Sequence, residues 1–204
     1  MYIDIKGNKR QKVGLHMHTS VSDGKLRPEE TARAYKSQGY DAIALTDHWT
    51  FGEYGNFEGM TVISGAEYNI GGHATEIGVY HILALFMERK PNITREDDAQ
   101  RIIDGVHEVG GLAVLAHPAW SLNQPDEIVK LRGVCHTEIF NTVSGVQNSF
   151  RPYSGLLADL LACKERSIYV KLGFVLNCNN NVEHCRNGCR HTCANTVDNG
   201  DLRN

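Results

Sequence analysis

Short apolar runs that end in histidine or a carboxylate, separated by helical patterns, constrain this chain more than any other feature of its sequence. Val13-Gly14-Leu15-His16-Met17-His18 reads as a strand running into the polar loop Thr19-Ser20-Val21-Ser22-Asp23-Gly24. A second strand, Ile43-Ala44-Leu45, leads to Thr46-Asp47-His48, and a third, Val62-Ile63-Ser64, leads to Glu67. His81-Ile82-Leu83-Ala84-Leu85-Phe86 is a fourth. Leu112-Ala113-Val114-Leu115-Ala116 is a fifth, ending at His117-Pro118, and Thr137-Glu138-Ile139-Phe140-Asn141 is a sixth. Pro28-Glu29-Glu30 opens a helix that Gly39 stops, Thr94 caps a second that Gly110-Gly111 stop, and a third is predicted over residues 154–163. A last strand over residues 168–175 completes the set. Strands alternating with helices predict a parallel sheet, and six or seven such units predict a barrel rather than an open sheet.

In a parallel barrel, functional side chains gather at the C-terminal ends of the strands. His16, His18, His48, Glu67 and His117 fall at or just beyond such ends, whereas His81 opens its run. Imidazoles and carboxylates converging from several strands are what a buried site for zinc, iron or manganese requires. The His16-x-His18 pair is the sharpest element, because alternate residues of a strand face the same way and both rings can reach one ion. Among the other histidines, His107 reads as a solvent-facing helix residue and His73 as a loop residue, and His136 receives no role. Glu138 and Asn141 flank the barrel interior, where they either hydrogen-bond the cluster or simply pack.

Four ordered motifs give the chain a family likeness. Leu15-His16-Met17-His18-Thr19 with Ser22-Asp23-Gly24, then Leu45-Thr46-Asp47-His48, Gly65-Ala66-Glu67 and Leu115-Ala116-His117-Pro118 resemble the PHP family, named for polymerase and histidinol phosphatase. The resemblance spans about residues 12–165. It implies an α/β fold, a distorted seven-stranded β/α (TIM-like) barrel, with two or three divalent metal ions (Mn, Fe or Zn). By that likeness His16 and His18 bind a first metal, and Glu67 bridges it to a second completed by His81 and His117. Asp23 and His48 bind a third, and Asp47 orients its neighbour from behind. Arg151, in the loop after the sixth strand, is a candidate clamp for a substrate phosphate.

The family pattern closes with Asp-x-His at the end of its last strand, and no such element follows residue 165 here. The barrel is therefore expected to be incomplete at its C-terminal end. Composition changes at the same place. The first 134 residues contain no cysteine, whereas residues 177–204 hold four Cys and eight Asn. We accordingly divide the chain into a PHP-type metal-binding barrel, residues 1–176, and an Asn/Cys-rich tail, residues 177–204, read as disordered or non-native. Cys185, Cys189 and Cys193, with His184 and His191, lack the paired C-x2-C spacing of a structural zinc site.

A net charge of −3 with no basic stripe gives no evident nucleic-acid surface. No run of apolar residues is long enough to span a membrane, and the first residues lack the features of a signal peptide, so a cytoplasmic chain is expected. The expected function is hydrolysis of a small phosphorylated substrate, a nucleotide or phosphomonoester, by a metal-bound hydroxide. The rival reading is a catalytically inactive PHP-type metal-binding or interaction domain, which the absent Asp-x-His supports. An amide-cleaving metal hydrolase shares the His-x-His opening but needs a bridging lysine or a lone terminal Asp, and neither is suitably placed.

Overall fold

The computed structural model describes residues 2–4, 6–71, 79–134, 136–145, 149–164 and 195–197. These form a mixed α/β fold with two sheets. The first sheet contains β1 (Tyr2–Ile3), β2 (Lys9–Gly14), β3 (Ala42–Ala44), β4 (Gly55–Phe57) and β5 (Met60–Ile63), in the order β1-β2-β3-β5-β4. The second contains β6 (Gly65–Ile70), β7 (Tyr80–Leu85), β8 (Leu112–Leu115) and β9 (His136–Thr137), in chain order. A further strand, β10 (Asn195–Val197), pairs antiparallel with Gln11–Val13 of β2. The expected strand over residues 168–175 and the cysteines of the tail lie outside the described residues, as does His73.

The all-parallel expectation holds for only part of the fold. β2, β3 and β5 are parallel neighbours, and so are β8 and β9. β6, β7 and β8, however, are successively antiparallel. The run Val62–Glu67, read as one strand and its exit, is in fact two strands that part at Ser64. There the Ser64 hydroxyl donates to the Met87 carbonyl at 2.7 Å and the chain passes into the second sheet. Gly65 permits the crossing, since a Cβ there would stand 2.9 Å from Thr46 Cγ2 and 3.1 Å from the Leu45 carbonyl. Two bridges, His48 with Glu67 and Gly52 with Gly65, stitch the junction. Among the described residues no closed barrel is formed.

Alternation along the strands sorts the core into layers. Ala42, Ala44, Ile63, Leu83, Leu85 and Val114 turn toward one another in a layer shared by both sheets. Ile43 and Val62 face the opposite way, onto Ala32 and Tyr35 of α1 (Pro28–Ser37). Ile82, Ala84 and Ala113 face α2 (Ala99–Glu108). That helix presents Ala99, Ile102, Ile103 and Val106, an i, i+3, i+4, i+7 stripe, as its buried face.

The helix starts follow local capping chemistry. Pro28 stands in the first turn of α1, and the Glu30 carboxylate accepts the Arg27 N–H at 3.0 Å. α2 begins later than the sequence pattern suggests. Its cap is Asp98, which accepts the Arg101 N–H at 2.8 Å, while Thr94 is held in its own turn by Asp97. A short α3 (Pro125–Ile128) was not anticipated, and α4 (Gly155–Lys164) falls within a residue of its expected place. The sixth strand is shorter than expected. β9 ends at Thr137, and beyond it only Phe140 bridges, to Tyr153.

Candidate metal centre

Glu67 is the hub of the site, with only 1% of its surface exposed. It sits on β6, three residues into the strand and not at its end as the sequence pattern implied. One oxygen, Oε2, lies 2.8 Å from His18 Nε2, 3.3 Å from His16 Nε2 and 3.5 Å from His48 Nδ1. The other, Oε1, lies 2.9 Å from His81 Nδ1 and 3.1 Å from His117 Nε2. One buried carboxylate thus divides five imidazoles into two groups.

Each donor arrives by a different route. His16 and His18 follow β2, and Met17 between them is held to the turn after β3 by hydrogen bonds with Thr46 of 2.9 and 3.0 Å. His48 follows β3, and His117 lies just past β8. His81 is the second residue of β7. Because β7 runs against β6 and β8, its N-terminal end lies beside their C-terminal ends, which is why a histidine at a strand start joins histidines at strand ends.

The donors have metal-ligand spacing. Donors about 2.1 Å from a shared tetrahedral cation stand roughly 3.3 Å from one another. His16 Nε2 and His18 Nε2 are 3.2 Å apart, and Glu67 Oε2 completes a triangle with them. His48, Glu67 and His81 form another such group, as do His18, Asp23 and His48. The set of nitrogen and carboxylate donors suits zinc, iron or manganese, so the residues fit a divalent metal centre.

Electrostatics agree. Burial works against ionisation of Glu67, yet the imidazoles around it, His16 foremost, hold its carboxyl well below the usual carboxylate range. Burial likewise works against charge on His16, but Glu67 and Glu138 on its two sides raise it to about 10. His18 is raised against burial by Asp23 and Glu67. His48 and His81 are lowered by burial. A buried carboxylate needs positive charge beside it.

Asp23 reaches the cluster from an exposed loop. Its Oδ1 is 2.7 Å from His18 Nδ1 and its Oδ2 is 3.7 Å from His48 Nε2, and the His18 contact lowers it to about 2. The Asp47 carboxylate hydrogen-bonds to the loop after β2, not to the His48 ring. It accepts from the Thr19 N–H and hydroxyl and from the Ser22 hydroxyl at 2.7–2.8 Å, and so shapes the loop that carries Asp23. Arg151 donates to the Trp120 carbonyl at 3.3 Å from an exposed position.

Three further residues belong here: Trp120 and Ser121, which carry no role in the sequence reading, and Glu138, for which that reading leaves hydrogen-bonding or packing open. Trp120 stands edge-on to His81 and His117, with ring centroids 5.4 and 5.0 Å away. Ser121 Oγ is 3.2 Å from His117 Nδ1. Glu138, fully buried, accepts the His117 N–H at 2.7 Å. Trp120 and Ser121 lie three and four residues after His117, and the signal that could have found them is the turn at His117-Pro118 that folds them back.

The PHP domain profile matches residues 14–184. No curated protein matches the sequence. An amidohydrolase from Chromobacterium violaceum, solved with bound sulfate and no metal, is similar in structure at 14% identity and a TM-score of 0.55, over 75% of this chain and 84% of that one. A candidate metal-dependent phosphoesterase from Bifidobacterium adolescentis gives 14% and 0.54, over 76% and 84%. PsfC from Pseudomonas syringae gives 16% and 0.52, over 76% and 73%. At such identities these likenesses speak to the fold alone.

Proposed function

This chain belongs to the PHP domain family, and from that premise we propose that it is a metal-dependent phosphoesterase acting on a nucleotide or small phosphomonoester. The observation that carries the reading is the sharing of the two Glu67 oxygens between His16, His18 and His48 on one side and His81 and His117 on the other. We read His16, His18 and Glu67 as holding one ion, Glu67, His81 and His117 a second, and Asp23 with His48 a third. Divalent cations bound there would lower the pKa of a water and neutralise charge on the phosphate.

The chain's own residues do the rest. Glu67 fixes the spacing between the two groups of imidazoles. His48 and His81, kept neutral by burial, offer lone pairs. Trp120 stands edge-on to His81 and His117 and walls that side of the site. Arg151 stands beside that wall and supplies a cation for the phosphate oxygens. Every residue given a role lies within the proposed 1–176 body.

The test is hydrolysis of a panel of phosphomonoesters and nucleotides by the Mn²⁺-loaded protein. Activity should vanish on chelation and return with metal. Well-folded, metal-loaded protein inert to the whole panel would identify an inactive metal-binding domain instead, consistent with the absent Asp-x-His.

A further inference from the structure

We propose that Glu138 is a positioning residue of the metal centre, holding one donor from each side of Glu67, His16 and His117, in its binding geometry. The proposal rests on the metal-centre reading above. Glu138 follows β9 and is fully buried, with its N–H donating to the Leu115 carbonyl at 2.8 Å. Its Oε1 accepts from Asn141 Nδ2 at 3.0 Å, and Asn141 Oδ1 in turn accepts the N–H and hydroxyl of Ser144 at 3.0 and 3.1 Å. All three residues are buried, so the amide orientation and the carboxylate plane are set by this chain of bonds.

Its other oxygen, Oε2, works on both histidines. His117 has φ of 26°, a backbone conformation that L-residues avoid and that persists only where its surroundings impose it. The Glu138 carboxylate imposes it from one side by taking the His117 N–H at 2.7 Å, and the Ser121 N–H does so from the other by donating to the His117 carbonyl at 3.1 Å. The result aims His117 Nε2 at Glu67 Oε1.

His16 stands between the two carboxylates. Its Nε2 faces Glu67, and its Nδ1, buried and without a hydrogen-bond partner, faces Glu138 Oε2 at 3.6 Å. A ring movement of roughly half an ångström would close this to a hydrogen bond. A proton held at Nδ1 leaves the Nε2 lone pair free for the donor triangle with His18 and Glu67, the arrangement in which a carboxylate behind a ligating imidazole sets its tautomer. Among the described residues, Glu138 is the carboxylate that faces His16 Nδ1 and favours Nδ1–H over Nε2–H.

The experiment is Zn²⁺ competition against a chromophoric chelator for the wild type, Glu138→Gln, Glu138→Ala and Asn141→Ala. It is paired with NMR of the imidazole N–H protons in the Zn²⁺-loaded protein, and circular dichroism checks each fold. Gln keeps the size of the side chain and, with its oxygen toward His117, an acceptor for that N–H. Its amide N–H2 then faces Asn141 Nδ2, so the Asn141 amide must turn, and circular dichroism checks that the packing survives. Glu138→Gln should bind Zn²⁺ about 10- to 100-fold more weakly, and the strongly downfield His16 Nδ1–H resonance should move upfield. Asn141→Ala should give a smaller weakening of the same kind. Wild-type affinity and an unmoved resonance in Glu138→Gln would overturn the proposal alone. Failure of the wild type to take up Zn²⁺ would overturn the metal-centre reading, and this proposal with it.

Discussion

Asp47 accepts two hydrogen bonds from Thr19, one from its N–H at 2.7 Å and one from its hydroxyl at 2.8 Å. A buried carboxylate thereby ties the loop after β2 to the turn after β3, and Ser22 adds a third bond one residue before Asp23. Asp47→Asn removes the charge and keeps an acceptor for the Thr19 N–H, while its N–H2 faces the Thr19 hydroxyl, which must turn from donor to acceptor, at a cost of about 1 kcal/mol. Asp23 should withdraw from His18 and His48. Titration calorimetry should then lose the weakest metal-binding event and keep the others; retention of every event would contradict this account of the loop.

Glu67→Gln tests the hub. The amide keeps the shape but loses the charge and one acceptor oxygen, so one side of the site faces an N–H2. Metal content by elemental analysis should fall by at least one equivalent per chain. Any phosphoesterase activity should fall by about a hundredfold or more, since even partners behind the ligands are worth 10- to 100-fold. An unchanged metal content would remove Glu67 from the bridging role.

Leu83→Ala tests the layer between the sheets. Leu83 is fully buried there with Ala44, Ile63 and Val114. Its truncation leaves a cavity among neighbours held by two sheets, and about 2–5 kcal/mol of stability should be lost in chemical denaturation. A loss below about 1 kcal/mol would show that the two sheets do not rely on this layer.

Asp4 supplies the pH prediction. Its carboxylate accepts the Lys6 and Asn8 N–H groups, Asn8 Nδ2 and Arg10 Nε, closing the turn between β1 and β2. The Arg10 contact, then the Asn8 N–H, hold its carboxyl well below the usual range. A carboxyl lowered by folding stabilises above its unfolded pKa, about 3.9, and loses that contribution as pH falls through the folded value. Protection of the Lys9 and Arg10 amides, taken relative to their intrinsic exchange rates, should therefore hold at neutral pH and fall progressively as pH drops below about 3.9. Asp4→Asn should exchange faster at neutral pH and respond less to acid.

The histidine positions were legible in the sequence because a donor at a strand terminus interrupts an apolar run, and His16, His18, His48 and His117 all do so. α1 and α4 were legible from local chemistry alone. The reversal at β6 and β7 was not. Val62–Glu67 reads as one apolar run, and the break at Ser64 depends on Met87 and Gly52, partners remote in sequence. The start of α2 was misplaced because Thr94 and Asp98 are both capable caps, and the choice falls to the one followed at once by the buried stripe. The place of Glu138 was only half legible, since a carboxylate after a short strand looks the same whether it packs or holds two histidines.

The reversed course of β7 bears on how the centre comes together during folding. Glu67 and His81 stand on β6 and β7 and His117 lies just past β8, three consecutive strands each hydrogen-bonded to the next. His16 and His18 reach the same carboxylate only after β2, β3 and β5 have been aligned in parallel through intervening crossovers. Contacts between chain neighbours close shorter loops and form sooner than such parallel pairings. His81, 14 residues along the chain from Glu67, is thus the local partner of the hub, whereas His16, His18 and His117, each about 50 residues from it, are the long-range partners that complete the centre.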